Sequence, residues 1–338
     1  MPRSLGFVIA VATLSAVSAI AAGAAGERAG YAWPVAPFDR PHPIRSTFGE
    51  PRTLFDGPPT SDTLYRGTGS FSFHNGVDIA APDGAAVYAV RDGVVSSTAG
   101  RKVIVTSSDG ASFQYWHIVP RVKAGDHVTA SRTILGRIRT TYGHVHLVEF
   151  DGGHPVNPLA PGHLTPYRDA TRPTIDRIEF RVPGTPSPDV LPEMIRGTVE
   201  VVVPVSDRPR PSAPGEWRTM ATAPAVVRWC VVRARDGAVR VRARTIFDVR
   251  DRLPAPRAFW EVYARGTWQN DPTFLKHRYW RQEGLFLYRL GRLDTRRLAD
   301  GIYRIVVNAE DIGGNTATRG ATFLVYNHRL WPPPTDQS

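Results

Sequence analysis

Two short stretches hold side chains of the types and spacing that bind a metal ion. In Gly143-His144-Val145-His146-Leu147 the two imidazoles stand two residues apart, so on a strand they share a face. Upstream, Phe73-His74-Asn75-Gly76-Val77-Asp78 offers a histidine and an aspartate at an even spacing, which lets them converge on the same cleft. A third stretch, Phe113-Gln114-Tyr115-Trp116-His117, reads as a strand with Phe113, Tyr115 and His117 on one face, adding a further imidazole. Neutral imidazole nitrogens with one carboxylate oxygen suit zinc, and a catalytic zinc keeps three protein ligands and one open position for water. The chemistry these residues point to is hydrolysis.

The elements that must position them read as short strands. With 30 Gly and 30 Pro in 338 residues and 42% hydrophobic content, many strands and turns are expected rather than long helices, in a chain long enough for two domains. Strand signals fall at 86–90, 93–98, 102–107, 111–118, 133–138 and 144–150, with Asp92-Gly93 and Asp109-Gly110 as hairpin turns. The expected fold class is all-β.

The N-terminus has the parts of a secretory signal over residues 1–24: Arg3, an uncharged apolar run from Leu5 to Ile20, and Ala22-Gly23-Ala24 as the cleavage site. That predicts an extracytoplasmic protein of the cell wall or periplasm, with no transmembrane helix after cleavage. The sole cysteine, Cys230, excludes an internal disulfide and sits in a strand-like run, as an inert thiol would. The formal net charge of +11 favours anionic partners such as wall polymers. Nearly all of that charge is arginine spread through the chain, so charge alone selects no partner. No nucleic-acid-binding motif accompanies it, and nucleic acid is not expected as a ligand.

After an extended, proline-rich lead-in (25–45), a series of motifs appears in order: Ser46-Thr47-Phe48-Gly49, His74-x-x-x-Asp78-Ile79-Ala80-Ala81-Pro82, Gly84, Asp92-Gly93-Val94-Val95, Tyr115-x-His117, Gly125-Asp126-x-Val128 and His144-x-His146. Together they resemble the M23 (lysostaphin/LytM-like) zinc metallopeptidases, over residues 46–158. The resemblance implies a compact mixed-β domain with an open groove, cleaving peptide bonds of bacterial peptidoglycan. By position it implies that His74, Asp78 and His146 bind one zinc ion and that His117 and His144 are the catalytic histidines. The chain lacks the H-E-x-x-H helix that would supply a glutamate base, so the proton must go elsewhere, and a non-ligand histidine can accept it. Two departures are visible. Tyr142, in the turn before the histidine pair, is expected to narrow the groove or stack on substrate, and the insertion Thr53–Phe71 to form a groove wall. His42, His127, His154, His163, His277 and His328 are expected to be surface or core residues.

Residues 159–173 read as a proline-rich linker, 174–328 as a second all-β domain and 329–338 as a tail. Val199, Val201, Val203 and Val205 alternate on one face, as do Tyr303, Ile305, Val307 and Ala309, and Asp236-Gly237 joins a hairpin whose second arm alternates Val239, Val241 and Ala243 with Arg240, Arg242 and Arg244. The run from Asp300-Gly301 to Gly314-Asn315 resembles the end of immunoglobulin-like or fibronectin-like modules, which implies a β-sandwich. An aromatic-rich insertion (Trp260, Tyr263, Trp268, Phe274, Tyr279, Trp280, Phe286, Tyr288) is expected to pack within the sandwich or against the first domain. The resulting expectation is a secreted zinc endopeptidase whose second domain positions it on peptidoglycan. The alternative expectation is a non-catalytic wall-binding or amidase-activating LytM-like protein.

Overall fold

Antiparallel pairing dominates the computed structural model, which describes residues 30–185, 190–269 and 284–327. The expected signal segment and tail, with His277, His328, Phe274, Tyr279 and Trp280, lie outside the described residues. Helix is confined to Ser61–Arg66, Phe259–Val262 and a few 3-10 turns among the described residues, so the chain is nearly all β.

An eight-stranded sheet forms the N-terminal half. Its order is Ile44–Ser46, Val77–Ala80, His144–Asp151, Ser112–Trp116, Lys102–Ser107, Gly93–Ser97 and His127–Val128, with His154–Val156 also pairing to His144–Asp151. A three-stranded sheet of Ala86–Tyr88, Ile134–Ile138 and Ile118–Pro120 accompanies it. Val77, Ile79, Val103, Val105, Phe113, Tyr115, Val145 and Leu147 are almost fully buried in the core that joins them. Removing eight such side chains from water supplies roughly 1.5–3 kcal/mol each, the largest favourable contribution to this half. Tyr31 and Trp33 of the lead-in, and Leu159 and Leu164 from the proline-rich stretch that follows, are buried in the same core.

Two further four-stranded sheets enclose the C-terminal core. One joins Thr174–Ile175, Thr198–Ser206, Glu179–Arg181 and Leu287–Asp294, and the other has the order Val239–Asp248, Val226–Arg233, Gly301–Glu310 and Thr316–Val325. Val199, Val201, Val203 and Val205 meet Tyr303, Ile305, Val307 and Ala309 in a single cluster, because a period of two turns each set inward. Arg240, Arg242 and Arg244 of the edge strand are solvent-exposed.

The two cores touch. Residues Pro51–Phe55 and Gly69–Phe73 form a hairpin whose Phe71 and Phe73 pack on Phe259, Trp260 and Tyr263, and Phe48 is buried among C-terminal residues. Tyr263 donates its hydroxyl hydrogen to Gly49 O at 2.8 Å. The insertion Thr53–Phe71 thus departs from the expected groove wall: its apolar side faces the C-terminal half, and Thr53 is held by Gln269 through main-chain and hydroxyl hydrogen bonds.

Candidate metal centre and catalytic groove

Register across three strands assembles most of the site. Asp78 stands directly opposite His146, and Trp116 opposite His146 on the other side, so the three form one row across the sheet. His144 pairs with Ala80 two positions along the same strand and faces the same cleft. His74 lies outside the regular strands, between the hairpin and Val77–Ala80, and is fixed by its backbone: its N–H donates to Glu50 O and its carbonyl accepts from Gly49 N, both at 2.8 Å. Gly76 permits this approach, since a Cβ there would stand 2.2 Å from Leu147 O and 2.9 Å from His146 Cε1.

His74 Nε2 is 2.8 Å from His146 Nδ1, which is 2.8 Å from Asp78 Oδ1, and the third side of the triangle is 3.3 Å. Ligand atoms in a tetrahedral zinc site, at bonds of about 2.0–2.1 Å, stand about 3.3 Å apart. Two imidazole nitrogens and a carboxylate oxygen at this separation can hold one divalent cation, and the donor set fits zinc. His74 Nδ1 is 2.8 Å from Thr47 O, which can only accept, so Nδ1 carries the hydrogen and Nε2 keeps its lone pair toward the triangle. Burial, aided by the Arg52 guanidinium, pushes the His74 imidazole down to about 3, so it is neutral and able to ligate. Burial alone would push the Asp78 carboxyl up, but the surrounding histidines hold it well below the usual carboxylate range.

The support beneath the triangle was not legible in the sequence. Arg52 donates to Asp78 Oδ2 at 3.0 Å and to Glu50 at 3.3 Å, and the fully buried Glu50 also accepts from Thr47 N at 2.7 Å and from Ser46. Glu50 follows directly on Ser46-Thr47-Phe48-Gly49, and its Arg partner two residues on was the available signal. Asp83 is a second omission: its carboxylate accepts the backbone N–H groups of Thr141 and Gly143 at 2.6 and 2.8 Å, pinning the turn that feeds His144.

His117 and His144 flank the triangle. His144 Nε2 is 3.7 Å from Asp78 Oδ1, and its Nδ1 lies 2.6 Å from both Tyr142 O and Arg45 Nη1, which turns Nε2 toward the cleft. The His117 ring stands 4.7 Å from that of His144, and burial followed by the neighbouring His144 pushes it down to about 3. The expectation that His117 shares a strand face with Phe113 and Tyr115 is corrected here. The strand ends at Trp116, and His117 adopts a left-handed backbone with φ of 65°, which swings its ring out of the core and into the groove. A left-handed non-glycine residue costs on the order of 1 kcal/mol or more and persists where surrounding structure enforces it. Tyr142 lines the groove as expected, but one face of its ring is covered by His117, stacked at 4.4 Å and 18°.

The groove has a volume of about 1190 Å³. It is lined by the histidines with Arg45, Arg52, Trp116 and Tyr142, together with Trp217, Leu253, Pro254 and Pro256 from the C-terminal half. His42 contacts Pro37 O, His163 contacts Glu149, and His127 and His154 are exposed, so none of these four joins the site. Cys230 is half-buried in its strand and its thiol is pushed up by burial, consistent with an unreactive role.

Comparison with known proteins matches residues 72–158 to the model of Peptidase family M23. No curated protein matches the chain. Among solved structures, a zinc-containing peptidase from Vibrio cholerae is 28% identical, covering 39% of this chain and 39% of its own, with a TM-score of 0.28. The catalytic domain of the prophage-encoded M23 protein EnpA from Enterococcus faecalis, in a point-mutant form, is 29% identical over 37% of this chain and 95% of its own, with a TM-score of 0.26. Csd3 of Helicobacter pylori is 22% identical over 37% of this chain and 36% of its own, with a TM-score of 0.25. No helix among the described residues is long and apolar enough to cross a membrane. The residues matched to Peptidase family M23, 72–158, hold His74, Asp78, His117, His144 and His146 together.

Proposed function

We propose that the protein is an extracytoplasmic zinc-dependent endopeptidase that hydrolyses peptide bonds in bacterial peptidoglycan, with His74, Asp78 and His146 as metal ligands and His117 and His144 as the catalytic histidines. The observation that carries this reading is the triangle of His74 Nε2, Asp78 Oδ1 and His146 Nδ1 at 2.8–3.3 Å, flanked by two further imidazoles in an open groove. Zinc bound there would supply Lewis-acid polarisation of the scissile carbonyl and a water activated near neutral pH.

The protein's own residues supply the rest. His144, neutral through burial and fixed by its Nδ1 hydrogen bond, presents Nε2 to take the proton of the attacking water. His117, one ring away, is placed to return a proton to the leaving amine or to donate toward the oxyanion. Arg52 and Glu50 hold Asp78 in its ligating orientation. The C-terminal half, proposed to be an immunoglobulin-like sandwich spanning 174–328, completes the groove.

The test is to load the purified chain with zinc, digest defined peptidoglycan fragments and follow new amino termini by mass spectrometry. One zinc per chain with new amino termini is the expected result. Sedimentation with the wall and no released termini would instead fit a wall-binding or amidase-activating protein that retained the fold.

A further inference from the structure

We propose that Trp217, from the C-terminal half, is a positioning residue for the hydrolysis: it holds the Arg45 guanidinium against the turn carbonyl that orients His144.

Three contacts carry this. The Arg45 guanidinium lies over the Trp217 ring at 3.1 Å from its centroid. Arg45 Nη1 donates to Tyr142 O at 3.1 Å and approaches His144 Nδ1 to 2.6 Å. His144 Nδ1 lies 2.6 Å from the same oxygen. The Nδ1 edge of the ring that must present Nε2 to the cleft is therefore met by the Tyr142 carbonyl and by a cation that must itself be kept in place.

An arginine side chain has many rotamers, and a hydrogen bond at the rim of an open groove competes with water. A flat aromatic face beneath the guanidinium excludes water from one side, attracts the positive charge and leaves the in-plane N–H groups aimed at their acceptor. With Arg45 fixed, the Tyr142 carbonyl is held from both sides. The imidazole is then held by its Nδ1 edge in one orientation, with Nε2 toward the cleft. Trp217 lies in the 3-10 turn Gly215–Thr219, 172 positions along the chain from Arg45. The C-terminal half thereby reaches a proton-handling residue through a single intermediary.

This inference rests on the reading of His144 as a proton-transfer residue, and the experiment separates the two. In full-length, zinc-loaded chain we compare Trp217→Ala, Trp217→Phe, Arg45→Ala and the double alanine variant for kcat, KM and zinc content. The same proteins, labelled with 15N-histidine, report the imidazole signals, with His144→Gln identifying the His144 peaks. The expected outcome is a loss of about tenfold in kcat for Trp217→Ala with KM within about twofold and zinc retained. Trp217→Phe should recover most of that loss, and the double variant should be no worse than Arg45→Ala. The 15N signals of His144 should report a single tautomer in the parent and Trp217→Phe, and a tautomer mixture in Trp217→Ala. A parent-like His144 spectrum in Trp217→Ala overturns the proposal. So does a pure KM effect, or additivity with Arg45→Ala, since either would make Trp217 a substrate contact only. A parent that releases no amino termini would sink the hydrolase reading, while the imidazole signals would still decide whether Trp217 orients the ring.

Discussion

Asp83 accepts the backbone N–H of Gly143 at 2.8 Å, which ties the end of one metal-site strand to the start of the other. Asp83 stands five residues after Asp78, and Gly143 immediately precedes His144. The two stretches that supply the site are thus clasped at one end by an exposed carboxylate, and hydrogen bonds to Thr141 and then Gly143 hold that carboxyl below its usual range.

Replacing Asp83 with alanine releases Thr141 N and Gly143 N, and the turn loses the constraint that sets the angle of His144. Because Asp83 touches none of the three ligands, Asp83→Ala should keep its zinc and its thermal midpoint while kcat falls about tenfold, the scale expected when a proton-transfer group loses its alignment. Parallel metal analysis and steady-state kinetics check this; loss of zinc would show that the turn supports the ligands instead.

Gly76→Ala tests the close approach beside His146. A methyl group 2.2 Å from a backbone carbonyl cannot be accommodated by a side-chain rotation, so the His146 strand must shift. Zinc affinity should fall by about 10–100-fold, with a destabilisation of roughly 1–3 kcal/mol. Competition with a chromophoric chelator measures the affinity, and urea denaturation measures the stability.

The two histidine classes should separate cleanly. His74→Ala removes a ligand and should lose metal and cleavage together. His117→Ala should retain one zinc and lose activity by on the order of a hundredfold or more. Unchanged cleavage by His117→Ala would remove it from the mechanism.

A pH effect on stability is expected from a site far from the groove. Asp169, Asp207 and Asp311 bring carboxylate oxygens within 4.8 Å of one another, and burial followed by the nearby Asp169 pushes Asp207 up to about 8. In the unfolded chain the same acid ionises near 3.8. Between these values the folded state holds a proton that the unfolded state has released, so stability is greatest at the acid end and declines as pH rises toward about 8. The decline should be on the order of a few kcal/mol, and Asp207→Asn should remove much of it. Urea midpoints at pH 5 and pH 8 for both proteins decide the matter; a parent that is more stable at pH 8 would contradict the assignment.

How far the sequence was legible depended on how local each signal was. Asp78, His144 and His146 could be placed because strand alternation and register are short-range rules, and the valine runs of the C-terminal half were readable for the same reason. His117 was identified as a site residue but on the wrong geometric grounds, since strand alternation cannot anticipate a left-handed residue that ends the strand. Glu50, Arg52 and Asp83 act through hydrogen bonds to groups outside the recognised spacing, so their residue types alone carried no message. Trp217, Leu253, Pro254 and Pro256 reach the groove only after two cores pack together, a long-range event with no periodic trace.

The hairpin bearing Phe71 and Phe73 has a consequence for anyone wishing to transplant the half that bears the histidines. Cutting the chain at Pro158 would strip the covering from Phe48, Phe71 and Phe73 and leave three greasy rings in water, Phe73 among them at the groove itself. Such a fragment should clump or lose its grip on His74, which follows Phe73 and is tethered by its backbone to Gly49 and Glu50, so a usable graft must either carry its partner sheets along or repaint that flank with polar side chains.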